Sequence, residues 1–126
     1  MSSRRVLQIG MDPDVIDFSP WPGQSAEAVR ARLDRAQADL RDAGFEITTC
    51  LLPDDATSAE AAVTNALSGE RFDVIELGAG LRTSNEYTLI FERVINVVVT
   101  HHPTARLCFN DSPETTLDAV RRGFAE

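Results

Sequence analysis

Lysine is missing from this chain: all twelve positive charges are arginine. That pattern reads as a base-composition bias rather than as chemistry. Positive charge is scarce in any case, because twenty Asp and Glu leave a net charge of −8 and a pI near 4.7. This balance favours solubility and argues against nucleic acid as a partner, since that binding needs clustered basic residues. No apolar run approaches the roughly 20 residues that span a bilayer, so no membrane partner is expected. Met1 to Arg5 leads straight into a strand of about half a dozen residues, too short for the apolar region of a signal peptide. Cysteine is scarce too: Cys50 and Cys108 both fall inside predicted strands. Buried, reduced thiols and a cytoplasmic location are the expectation. Internal repeats, low-complexity stretches and a recognisable catalytic signature are also lacking.

What is present is an ordinary globular composition, 43% hydrophobic and 25% charged, in a length that suits one domain over residues 1–126 with one core. Strand and helix patterns alternate four times. Arg5 to Gly10 is the first strand. Ser25 caps a helix whose apolar stripe is Val29, Leu33, Ala36 and Leu40, and Gly44 ends it. Phe45 to Leu52 is the second strand. Thr57 with Glu60 forms a capping box for the next helix, which carries Val63, Ala66 and Leu67 and stops at Gly69. The third strand lies in Arg71-Phe-Asp-Val-Ile-Glu-Leu77. A third helix begins near Thr83, with Glu86 placed for a second capping box, and runs to about His101. Its middle is rich in β-branched residues, but a parallel neighbour needs a crossover and a strand here would leave none. Ala105 to Asn110 is the fourth strand. Ser112-Pro-Glu starts the last helix, whose inner face is Leu117, Val120 and Phe124.

This alternation predicts an α/β fold, a three-layer sandwich with a four-stranded parallel sheet. The expected order is 2-1-3-4, a flavodoxin- or Rossmann-like arrangement. In that order the chain reverses between strands one and three, and a crevice opens at their carboxyl ends. Gly10, Met11 and Asp12 line one wall. Gly78, Ala79, Gly80, Arg82 and Thr83 line the other, and Asn110 stands nearby. A helix starting near Thr83 points free N–H groups at the crevice and Arg82 adds a charge, which together favour an anion. The plainer reading is that Gly78-x-Gly80 only makes a tight strand-to-helix turn.

Gln8 and Glu76 each lie two residues before a strand-ending glycine, so adjacent parallel strands bring them to one face. A carboxylate there has a raised pKa unless it is paired, which makes Glu76 a candidate general base. Asp12 is a second candidate. The loop from Met11 to Gln24 is long enough to suggest function. Its Asp12, Asp14 and Asp17 are explained more cheaply by turn formation than by a metal. His101-His102 likewise suits a helix C-terminus better than zinc. No metal site is expected. Trp21, between Pro20 and Pro22, either closes over a ligand or anchors the loop. Receiver domains of response regulators need an aspartate at the end of strand three, where Gly78-Ala-Gly80 stands. Flavodoxins need a Ser/Thr-rich loop after strand one, where Met11-Asp-Pro-Asp14 stands. Neither activity fits.

Four segments carry a broader likeness: Asp12-Pro-Asp-Val-Ile-Asp-Phe-Ser19, Leu77-Gly-Ala-Gly-Leu-Arg-Thr83, Phe91-Glu-Arg-Val-Ile-Asn96 and Phe109-Asn-Asp-Ser-Pro-Glu-Thr115. Through them the chain resembles a group of small bacterial single-domain flavodoxin-like α/β proteins of unassigned function. The resemblance implies the fold but lends no substrate, cofactor or catalytic residue. The leading expectation is a binding or regulatory module for a small anionic ligand at the strand 1/3 crevice. The alternatives are a small enzyme using Glu76 or Asp12, and a protein-interaction module. Helix 83–101 is apolar nearly all round, with Ile90, Phe91, Val94, Ile95 and Val98 toward the sheet and Leu89, Val97 and Val99 elsewhere. That second face, and an open strand-four edge, imply a homodimer through this helix.

Overall fold

A computed structural model describes residues 4–126; the leader reading of Met1 to Ser3 lies outside these residues. Strand β1 spans Arg5–Met11, helix α1 Ala26–Asp42, β2 Glu46–Leu52, α2 Ala56–Leu67 and β3 Val74–Leu77. A four-residue helix α3, Ala79–Arg82, precedes α4, Thr88–His101; β4 is Arg106–Phe109 and α5 is Thr116–Gly123. Short 3-10 turns lie at Pro13–Val15, Asn85–Tyr87 and Pro113–Thr115. All strand pairs are parallel and the order is β2-β1-β3-β4. The result is a three-layer α/β sandwich of flavodoxin- or Rossmann-like form.

The period-2 alternation of the strands sorts side chains onto two faces. Leu7, Ile9, Ile75 and Leu77 point to the larger apolar cluster, under α2 and α4. Val6, Val74 and Cys108 point to the smaller cluster, where Leu40 of α1 and Ala119 and Val120 of α5 meet Phe45. Ser25 caps α1, its side chain accepting from the Ala28 N–H. Gly44 follows that helix with φ +94, the left-handed geometry that favours glycine.

Several local expectations need correction. Asp55, not Thr57 with Glu60, caps α2, because its side chain accepts from the Ser58 N–H at 2.8 Å. The long third helix begins at Thr88, five residues later than its pattern suggested. Residues 79–82 close a helical turn of their own, sealed by the Thr83 hydroxyl donating to the Ala79 carbonyl at 2.8 Å. Ser84 is then extended (φ −99, ψ 126), which breaks continuity. No side chain caps α4 at Tyr87, so Glu86 forms no capping box there. In α5 the buried positions are Thr116, Ala119, Val120 and Gly123, while Leu117 and Phe124 are only half-buried.

Candidate functional site

The apolar stripe of α1 meets the sheet with only half its length. Ala36 and Leu40 are buried on it. Leu33 and Val29, one and two turns toward the N-terminus, are half-buried and border a cavity of about 660 Å³. A volume of this size suits a small organic molecule. The floor is the α1-facing side of the sheet: Gln8 and Gly10 of β1, Thr49 and Leu51 of β2, and Glu76 of β3. Met11, Ile16, Phe18 and Trp21 from β1 and the following loop, with Tyr87, make its remaining walls largely apolar. Trp21 is 53% exposed and stands at the border of the cavity.

Two salt-bridge groups tie the N-terminal half of α1 to the loops around it. Arg30 reaches Asp12 and Asp14, each at 2.9 Å. Arg32 grips Glu114, before α5, through two contacts of 2.8 and 2.6 Å. That pairing holds the Glu114 carboxyl down at about 2, well below its ordinary value.

Gln8 and Glu76 are register partners on adjacent strands. Gln8 is 6% exposed and Glu76 is 0% exposed. Among the described residues, Gln8 Oε1 and both Glu76 carboxylate oxygens have no hydrogen-bond partner. Burial pushes the Glu76 carboxyl up to about 7. The nearby Gln8 side chain and Asn110 N–H pull it partway back, without reaching hydrogen-bonding geometry. A carboxyl in that range exchanges protons at neutral pH. Cys108, behind Glu76 on β4, is pushed up to about 12 by burial and by the carboxylate, so its thiol is unreactive.

The predicted site residues divide into two sets. Gly10, Met11, Gly78, Ala79, Gly80, Thr83 and Asn110 all border the cavity. The Asp12 and Arg82 side chains are engaged elsewhere. Asp12 caps the 3-10 turn by accepting from the Asp14 N–H and pairs with Arg30. Arg82 donates to the Asn110 carbonyl at 2.7 Å and lies over the Phe109 ring. The N–H that opens α3, on Ala79, is already bonded by Asn110 Oδ1 at 2.8 Å. Asn110 Nδ2 donates in turn to Thr116 Oγ1, so this side chain ties β4 to the turn after β3 and to the start of α5. Gly10, Gly78 and Gly80 all have ordinary φ, and a Cβ at Gly10 or Gly80 would meet no atom within 4 Å. Gly10 and Gly80 leave space instead of enforcing a turn, while a Cβ at Gly78 would touch the Ile9 carbonyl at 3.6 Å.

Sequence reasoning missed the α1 and β2 side of the cavity, above all Val29, Leu33 and Leu51. How much of α1 is seated on the sheet decides their role, and an amphipathic stripe carries no record of it. Among the described residues, no three His, Cys, Asp or Glu side chains are grouped to hold a metal, and no helix is long and apolar enough to cross a membrane. His102 is bonded to the Glu70 carbonyl at 2.9 Å. No protein-family model matches the chain, and no curated protein matches it.

Proposed function

We propose that this chain is a small-molecule binding module whose site is the cavity between α1 and the β1–β3 crevice. The observation that carries the reading is the cavity itself, about 660 Å³, with a buried and unpaired carboxyl at its floor. Buried polar groups are normally satisfied, and exceptions concentrate at functional sites. An anion, the ligand first expected, finds little to hold it: Arg82 is turned toward Asn110 and Arg32 is held by Glu114. Thermal shift against a library of small apolar and polar molecules tests the reading. Gly10→Leu, which fills the floor, is expected to abolish any shift; a ligand that still stabilises this variant equally would place binding elsewhere.

A second reading is favoured by one observation, the elevation of Glu76 to about 7. It makes this residue the general base of a small enzyme, with Asp12 excluded by its own turn and Arg30. A Glu76→Gln variant that binds a compound without converting it separates enzyme from binder. Reduced, buried Cys50 and Cys108 support placing the protein in the cytoplasm. The homodimer rests on a narrower surface than the sequence implied. Val97 is covered, because the small residues of α2 pack against its side of α4; Leu89 and Val99 stay 52% and 47% exposed. With the open β4 edge they are the surface for a two-fold partner. Sedimentation at micromolar concentration tests it: a dimer dissociated by Val99→Asp supports it, and a clean monomer of 13.8 kDa retires it.

A further inference from the structure

The walls of the cavity are largely apolar, and the buried polar atoms left unbonded at its floor are all acceptors. Gln8 Oε1, Glu76 Oε1 and Glu76 Oε2 are sealed from water and make no hydrogen bond among the described residues; the Gln8 amide and the Asn110 N–H lie near the carboxyl without reaching bonding geometry. Leaving such a group unpaired is costly, more so when it is charged. No guanidinium contributes to the state of Glu76, which is governed by burial, by Gln8 and by the Asn110 N–H. The charges bordering the cavity are mostly acidic. Glu76, Glu86 and Asp111 are there, against Arg32 alone, which Glu114 already neutralises.

We propose that the molecule held in this cavity carries a cationic, hydrogen-bond-donating head, a primary ammonium or an amidinium, which pairs with Glu76 and Gln8 while its apolar body lies against Leu33, Leu51 and Trp21. This rests on the binding reading given above. The chemistry is complementary: an ammonium offers three donors and no acceptor, and the floor holds three unbonded acceptor oxygens beside the single Gln8 amide NH2. A charged donor also supplies the partner that a buried carboxylate lacks. Because the oxygens are sealed, the floor side chains part as the head group enters. Binding then favours the ionised carboxyl over the neutral one. The other ionisable groups on the surrounding elements do not compete for this role. Cys108 on β4 stays a thiol, Arg122 on α5 is bonded to the Phe109 carbonyl, and Arg32 on α1 is bonded to Glu114. Asp111 and Glu86 sit on exposed turns at the rim.

Three probes of one shape test the head group: 4-phenylbutylamine, 4-phenylbutan-1-ol and 4-phenylbutyrate. Calorimetry of each with the full chain at pH 7.5 is expected to show the amine binding at least tenfold more tightly than the carboxylate. Glu76→Gln should remove at least tenfold from the amine and leave the alcohol within about twofold. A carboxylate that binds as tightly as the amine, or an amine indifferent to Glu76→Gln, overturns the head-group assignment while leaving the cavity in place. Failure of all three probes to bind at millimolar concentration overturns the cavity reading together with it. If Glu76→Gln does not fold, the wild-type chain gives the answer alone. At pH 6 the amine should release a fraction of a proton, read from the binding heat in two buffers of different ionisation enthalpy, and the alcohol none. Equal release from both overturns the proposal.

Discussion

Glu76 is held in a costly state by its place on the sheet. Its carboxyl titrates near 7 in the folded chain, because burial disfavours the charge, and near about 4.3 in an unfolded one. The folded state therefore binds the extra proton between these values. Glu76 contributes its stability fully below about pH 4.3, and loses it as pH rises through 7. The shift corresponds to something on the order of 3 kcal/mol at alkaline pH. Glu76→Gln should accordingly raise the denaturation midpoint at pH 8 and change it little at pH 4.5. Urea titrations of both chains across that range check this, and parallel pH profiles would mean that Glu76 is solvated. The pairing of Gln8 with Glu76 was legible in the sequence, because parallel register lets residues be counted back from Gly10 and Gly78. The roles of Asp12 and Arg82 were not. Position in the chain placed both at the crevice, but side-chain direction was settled by a 3-10 turn at Pro13 and a four-residue helix at Ala79.

Elements show the same division between what a pattern states and what packing decides. The four strand–helix alternations were readable, since each strand is a short apolar run and most helix ends carry a cap or a glycine. The partial seating of α1 was not readable: Val29 and Leu33 look as core-like as Ala36 and Leu40, yet they border the cavity. Leu40→Ala should therefore cost about 2–5 kcal/mol, the range for a buried leucine. Leu33→Ala should cost under about 1.5 kcal/mol, because part of that side chain already lies outside close packing. Equal losses in urea would show α1 seated on the sheet along its whole length. The approach of α5 to β3 was also hidden. A Cβ added at Gly123 would lie 2.7 Å from Val74 Cγ1 and 3.0 Å from its Cγ2, and Val74 is itself core. Gly123→Ala should destabilise by about 1–3 kcal/mol through overpacking. Val74→Ala in the same chain should recover part of that loss, so a double-mutant cycle reads a favourable coupling. Strict additivity would show that α5 moves aside freely.

At the scale of the whole molecule, strand order converts chain distance into space, and the two cysteines report on it. Order β2-β1-β3-β4 puts Cys50 on one edge strand and Cys108 on the other. Three strand spacings separate those edges, roughly 14 Å, twice the Cα separation of about 7 Å that a disulfide tolerates. The faces differ too: Cys50 belongs to the cluster under α2 and α4, and Cys108 to the cluster under α1 and α5. Both thiols are buried, and burial raises the pKa of each. Reaction with iodoacetamide then requires opening of the structure and not local fraying of a loop. Because one cysteine lies in each cluster, the two together tell whether the layers open as one unit. The expected result is that native-state labelling of Cys50 and Cys108 proceeds at the same slow rate, and that urea accelerates both in step with global unfolding. Peptide mass spectrometry under non-reducing conditions should find no bridge between them. Fast labelling of Cys50 alone would show that the β2 edge opens independently of the rest of the sheet. A Cys50–Cys108 disulfide in the folded protein would be incompatible with the strand order itself.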